Sequence, residues 1–219
     1  MAIQLCTNPF RSANCQHAAI PILCLVLLLG WRVNPVTGQS TPVATGKNAI
    51  GTLLVIRTDG IEERLQGEGS LRIFDGDILK TETQGQGLIV FPDGIQVALN
   101  ENTSLKILSR WEKANGSTPI LRINQGEVWI KTGAGPKPVE VETPVAVAAT
   151  REAELDLKVS PDGQSVLTTI NGLVEFGTAF GTCPIRTGSI SYGERGKRCT
   201  KPARTDAKAA IAWTSSVVR

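Results

Sequence analysis

Six Asp-Gly or Asn-Gly pairs punctuate this chain: Asp59-Gly60, Asp75-Gly76, Asp93-Gly94, Asn115-Gly116, Asp162-Gly163 and Asn171-Gly172. Most stand between short runs rich in Leu, Ile and Val. Such pairs enter positive-φ backbone at little cost, as the tight turn of a β-hairpin requires. No long 3.6-residue periodicity runs between them, so a helical bundle is excluded and short antiparallel strands are expected. Gly 22, Pro 12 and an aromatic content of only 5% suit the same architecture.

Read in order, "GTLLVIRTDGIEERL" predicts strands Leu53–Arg57 and Ile61–Leu65 around Asp59-Gly60. "SLRIFDGDILKTE" adds a strand, a turn at Asp75-Gly76 and a short strand. "LIVFPDGIQVALNENTSLKI" gives Leu88–Phe91, a turn at Pro92-Asp93-Gly94, then Ile95, Val97 and Leu99 on one face. A polar turn leads on to Leu105–Leu108. "ILRINQGEVWIKT" is read with a turn at Gln125-Gly126, and Asp162-Gly163 and Asn171-Gly172 are read as hairpin turns. Only "TDAKAAIAWTSSVV" reads as a helix, capped by Thr205 or Asp206. The fold class is mainly β: antiparallel hairpins forming a sandwich, barrel, roll or solenoid-like domain, with an N-terminal signal or anchor segment and a short C-terminal helix.

Residues 1–17 hold Arg11 and no acid, and "AAIPILCLVLLLGW" follows, Ala18 to Trp31. Fourteen apolar residues are short of the roughly 20 that span a bilayer. They fit the core of a secretory signal, with Val36 and Gly38 placed for a cut before Gln39. Residues 1–38 are therefore read as a signal peptide, with a retained anchor as the alternative. Residues 39–50 read as a linker, 51–181 as the β domain and 182–219 as a basic extension. From Gln39 to Gly181 there are 13 Lys+Arg and 18 Asp+Glu, a net of −5; from Thr182 onward 8 and 2, a net of +6. Beyond the leader only Cys183 and Cys199 remain, an even number in an oxidising compartment, and they are expected to pair.

The only histidine is His17, in the leader. The body therefore cannot run Ser-His or Cys-His chemistry or bind zinc through histidine. Asp75 and Asp77 have calcium-loop spacing without the remaining ligands, and turn chemistry explains them better. Glu152, Glu154 and Asp156 alternate on one strand face and are read as a solvated face rather than an acid pair. Phe91 and Trp129 are assigned to the core, and Trp111, among charged neighbours, to the surface. "RTGSISYGERGKRCTKPARTDAK" gathers Arg195, Lys197, Arg198, Lys201 and Arg204 near Tyr192. An exported protein rarely meets nucleic acid, so this patch is read as a solvated tail or a contact for anionic envelope polymer or lipid. The expected contact residues are Trp111, Arg195, Lys197, Arg198 and Lys201. No catalytic residue, metal or cofactor is assigned.

The ordered set of segments resembles a known family. "FDGDILKT" is similar to its Gly-Asp-x-Ile/Leu-x-Thr motif, and "LIVFPDGIQVALNENTSLKI" to its Asp-Gly strand pair. "LRINQGEVWI" and "VETPVAVAATREAELDLKVSPDGQSVLTTINGLVEF" match its later segments. Together, from about Gly51 to Phe176, they resemble the FecR-type periplasmic domain. Where the family has Arg-Gly-Thr this chain has Arg151-Glu152-Ala153, so a different local path is expected. Seventeen residues before the apolar run are too few for a folded cytoplasmic domain. The resemblance thus implies the outer domain without the part that acts on a sigma factor. The expected role is non-catalytic binding or sensing at the cell envelope through a protein or polymer partner, with membrane contact only through the N-terminal segment. Two alternatives stand beside it: a membrane-tethered regulatory subunit, and an envelope enzyme working with carboxylates alone.

Overall fold

A computed structural model describes residues 41–112, 116–133 and 138–218. The leader reading falls outside the described residues. Fourteen strands form one sheet, and every pairing between them but one is antiparallel. The first hairpin is longer than its turn signal suggests: β1 (Ala44–Ile56) pairs with β2 (Glu62–Ile73) around Asp59-Gly60. The short strands β3 (Ile78–Thr81) and β4 (Gln86–Val90) both pair with β1. β5 (Gln96–Leu99) and β6 (Ser104–Glu112) then pair with β7 (Gly116–Lys131). β8 (Val139–Glu142) runs parallel to β7 and leads to β9 (Ala146–Thr150) and β10 (Ala153–Val159). β11 (Ser165–Thr178) pairs with β9 and β10 on one side and with β12 (Gly181–Arg186) and β13 (Ser189–Gly193) on the other. β14 (Ala203–Arg204) follows, then α1 (Ala207–Ala210) and a 3₁₀ turn, Ala212–Ser216.

Three long strands give the sheet its barrel-like closure. β1, β7 and β11 each carry a mid-strand glycine at positive φ, namely Gly51, Gly126 and Gly172. Each changes partners at that point: β1 from β4 to β3, β7 from β6 and β8 to β5 and β10, β11 from β10 and β13 to β9 and β12. Strands that bend from one layer into another at a bulge are how orthogonally packed sheets turn their corners. Gln125-Gly126 and Asn171-Gly172, expected as hairpin turns, are therefore bends inside continuous strands. The physical reason is that these pairs encode positive φ, which a bulge uses as readily as a turn.

At the bends threonine hydroxyls accept from backbone amides and share carbonyls that also accept from the Asn100, Thr132 and Thr187 amides. Thr103 Oγ1 accepts from the Glu127 amide (3.0 Å) and donates to the Glu127 carbonyl (3.2 Å). Thr132 does the same for Ala153, and Thr187 for Gly172. A buried backbone group left unpaired costs free energy, so these hydroxyls are part of the fold.

One apolar core runs through the bent sheet, with Phe176, Leu53, Ile73, Leu79, Leu121 and Ile130 among its fully buried members. Two boundary expectations are corrected. Most of the 39–50 linker is the first half of β1, because Ala44 and Ala49 are small enough to pack while their backbone pairs with β2 and β4 on both sides. The 182–219 segment is no solvated tail: β12 and β13 complete the sheet beside β11, and Val217 is fully buried.

Candidate functional site

The expected surface residues fall in two places. Trp111 stands near the end of β6, 74% exposed and opposite Ser117 on β7. By strand alternation it lies on the same side as Leu105, Ile107 and Ser109, but beyond the packed core. Beneath that edge is a groove of about 510 Å³, lined by Pro42, Val43, Phe91, Asp93, Leu108 and Pro119 among others. One Asp93 carboxylate oxygen is buried there without a hydrogen-bond partner. Phe91 itself is 5% exposed, as the core assignment expects.

The basic residues lie in the loop after β13, which shares no pairing with β6. Cys183 on β12 is joined to Cys199 by a disulfide with Cα atoms 6.2 Å apart, and both residues are buried. That bond fastens the basic loop to the sheet. Lys197 pairs with Glu194 at 2.5 Å, and this hydrogen bond holds the Glu194 carboxyl below its ordinary range. Arg198 donates to the Thr182 carbonyl at 3.1 Å and packs over Gly181. Arg195 and Lys201 are exposed, and Arg195 borders a shallow depression shared with Phe180, itself 60% exposed. Trp111 and the basic residues thus stand on parts of the sheet that do not pair with each other.

The three alternating acids are not a solvated face. Only Glu152 is exposed. Glu154 accepts from the Trp129 indole N–H at 2.9 Å, and Asp156 is 4% exposed. The outer side of the sheet carries a row set by register: Leu88 faces Ala98, Ala98 faces Trp129, and Trp129 faces Asp156. The C-terminal segment covers this row, bringing Ile211, Trp213, Val217 and Val218 against Leu88, Ala98 and Trp129. Burial, reinforced by the nearby Glu127 carboxylate, pushes the Asp156 carboxyl well above its ordinary value. Asp156 lies beneath the C-terminal segment, while Glu127 beside it is half-buried and its carboxylate accepts from the Asn100 side-chain amide at 2.6 Å. The sequence missed this seat because alternation reports which residues share a face, not what later packs upon it.

The Arg151-Glu152 bend needs no left-handed backbone at either residue. The close approach there is met from the facing strand, where a side chain on Gly172 would come within 2.4 Å of the Glu152 carbonyl. Among the described residues no group of three or more His, Cys, Asp or Glu is placed to hold a metal ion, and no helix is long and apolar enough to cross a membrane.

The family model for FecR protein matches residues 77–175. Two crystal structures share the fold, both of a candidate anti-sigma factor from Parabacteroides distasonis ATCC 8503, solved at 1.65 and 2.50 Å. Each aligns with a TM-score of 0.54 at 16% identity, over 62% of this chain and 63% of the other. This chain therefore spans less than two thirds of either neighbour. No curated protein matches it.

Proposed function

We propose that this chain, whose residues 77–175 match the FecR protein family model, is an exported regulatory module of the cell envelope, working by binding a protein partner without catalysis. The observation that carries this reading is Trp111. A tryptophan 74% exposed beside an apolar groove is poorly suited to water and well suited to anchoring an interface. The groove offers Phe91, Leu108 and Pro119 as the dry floor that such an anchor requires. The Cys183–Cys199 disulfide supports an oxidising compartment. A membrane-tethered form follows if the leader is retained.

The test has two parts. Intact mass and N-terminal sequence of the protein, from membrane and soluble envelope fractions, distinguish tethered from released protein. Photo-crosslinking from a probe at position 117, opposite Trp111 on β7 and lining the groove, in the native envelope then asks for a protein partner. A discrete crosslinked protein, lost in Trp111→Ala with the unfolding midpoint unchanged, supports the reading. Crosslinks to lipid or glycan alone would overturn it, as would a partner retained by Trp111→Ala.

A further inference from the structure

The C-terminal segment is seated on the sheet by very little besides apolar contact and one electrostatic arrangement. Asn48 donates to the Val217 carbonyl at 3.1 Å, and Ser216 donates to Gln86 at 2.6 Å. The remainder is the packing of Ile211, Trp213, Val217 and Val218 on Leu88, Ala98 and Trp129. At the end of this row the seat contains a defect. One Asp156 oxygen and the Trp213 indole N–H are both buried, and neither makes a hydrogen bond of good geometry. Glu127 adds a second carboxylate close by, its own oxygen held by Asn100 at 2.6 Å. A fold that buries one acid under a tryptophan, with a half-buried second acid beside it, has placed a charge-sensitive point beneath a segment held by few bonds.

We propose that residues 207–218 are a detachable cap whose grip is set by the charge on the Asp156–Glu127 pair. With Asp156 protonated the cap seats, and with Asp156 ionised beside Glu127 it lifts from Leu88, Ala98 and Trp129. Every group facing Asp156 enters this balance. Glu127 from β7 opposes ionisation, while the Trp213 indole from the cap and, less strongly, Lys158 from β10 favour it. Thr168, opposite on β11, is uncharged. The neutral carboxyl is the form suited to a dry site, and ionisation there draws in water that only opening of the cap admits. The strip beneath is then exposed at high pH and covered at low pH. The inference rests on the seat alone, independent of the partner proposed at Trp111.

Hydrogen exchange of the amides in 207–218, measured on the full chain and corrected for intrinsic rates, tests it. Between about pH 5 and about pH 8, protection of these amides should fall roughly tenfold or more relative to β10 amides in the same molecule. Asp156→Asn should keep the protection equal at both pH values. Unchanged protection in the natural chain, or an equal fall in Asp156→Asn, would overturn the proposal. If Asp156→Asn does not fold, Glu127→Gln decides: removing the facing charge should move the loss of protection to lower pH, and an unmoved profile counts against the cap.

Discussion

Arg57 ties the first hairpin to the turn that follows it. Its guanidinium bonds Asp77 at 2.5 Å and Glu63 at 2.6 Å and lies over the Phe74 ring, 5.0 Å from its centre. Burial disfavours the Arg57 charge, but these two carboxylates outweigh it and hold its pKa raised. Asp77 also accepts from the Phe74 amide at 2.7 Å, so the Asp75-Gly76-Asp77 stretch is a turn locked by a buried carboxylate. Asp77→Ala leaves the Arg57 charge with Glu63 alone and the Phe74 amide without its acceptor, and should cost about 3 kcal/mol in urea unfolding; a loss under about 1 kcal/mol would show the pair to be ornamental. Gly126 is constrained differently. At φ +100°, a side chain there would approach the Thr103 Cα to 2.4 Å. Gly126→Ala should destabilise by about 3 kcal/mol through combined strain and overpacking, read from the same denaturation curve. Asp156 supplies a pH dependence. Its folded pKa lies above the ordinary 3.8, so the folded state binds the proton more tightly than the unfolded chain. Its contribution is complete below the unfolded value and is lost as pH rises through the folded one. Denaturation midpoints should therefore fall with rising pH in the natural chain and fall less in Asp156→Asn. Parallel slopes would count against a raised Asp156.

At the scale of elements, the cysteine pair and the bent strands carry the most weight. The disulfide closes the segment from β12 through β13 and the basic loop, and Thr200 clips the loop again to β13 through Ser191 and Tyr192. Replacing Cys183 with Ser should cost about 3 kcal/mol by the loop-entropy argument. Intact mass should show both thiols of the natural protein alkylated only after reduction; labelling without reductant would mean that the bond does not form. The hairpin around Asp59-Gly60 matches its signal because the chain closes on itself there, the Arg57 amide donating to the Ile61 carbonyl at 2.8 Å and the Gly60 amide to the Arg57 carbonyl at 3.0 Å. At Gln125-Gly126 and Asn171-Gly172 a glycine likewise takes positive φ, but strands on both sides keep pairing through it, and a bend results. The C-terminal helix starts where its cap predicts, with Asp206 accepting from the Lys208 and Ala209 amides at 3.2 Å each. It lasts a single turn before tightening into 3₁₀ geometry.

Over the whole molecule, the FecR match begins at Asp77 and ends at Glu175, while the sheet does not. β1 pairs with β3 and β4, and β12 and β13 pair with β11, so strands outside the match cover the edges of strands inside it. A fragment of residues 77–175 should lack a cooperative unfolding transition, and residues 41–219 should show one. A sharp transition in the short fragment would make the flanking strands dispensable. The same continuity explains why the basic region is no tail: its loop is pinned to β12 and β13, and a body with a net charge of −5 is completed by a segment of +6.

Local chemistry was legible in the residues. The turn pairs and alternating runs dictated antiparallel β, the two cysteines dictated one crosslink, Asp206 dictated a helix start, and the ordered motifs carried the family. These signals act over a few residues, where backbone preference and side-chain alternation decide the outcome. What lay beyond them was which strand passes through a bend instead of turning back, and what covers the outer face at Trp129 and Asp156. Both depend on contacts between segments far apart in the chain, such as Asn48 with Val217, and periodicity within a segment carries no record of its distant neighbours. Burial of Asp156 was therefore decided only when the last residues of the chain packed across the sheet.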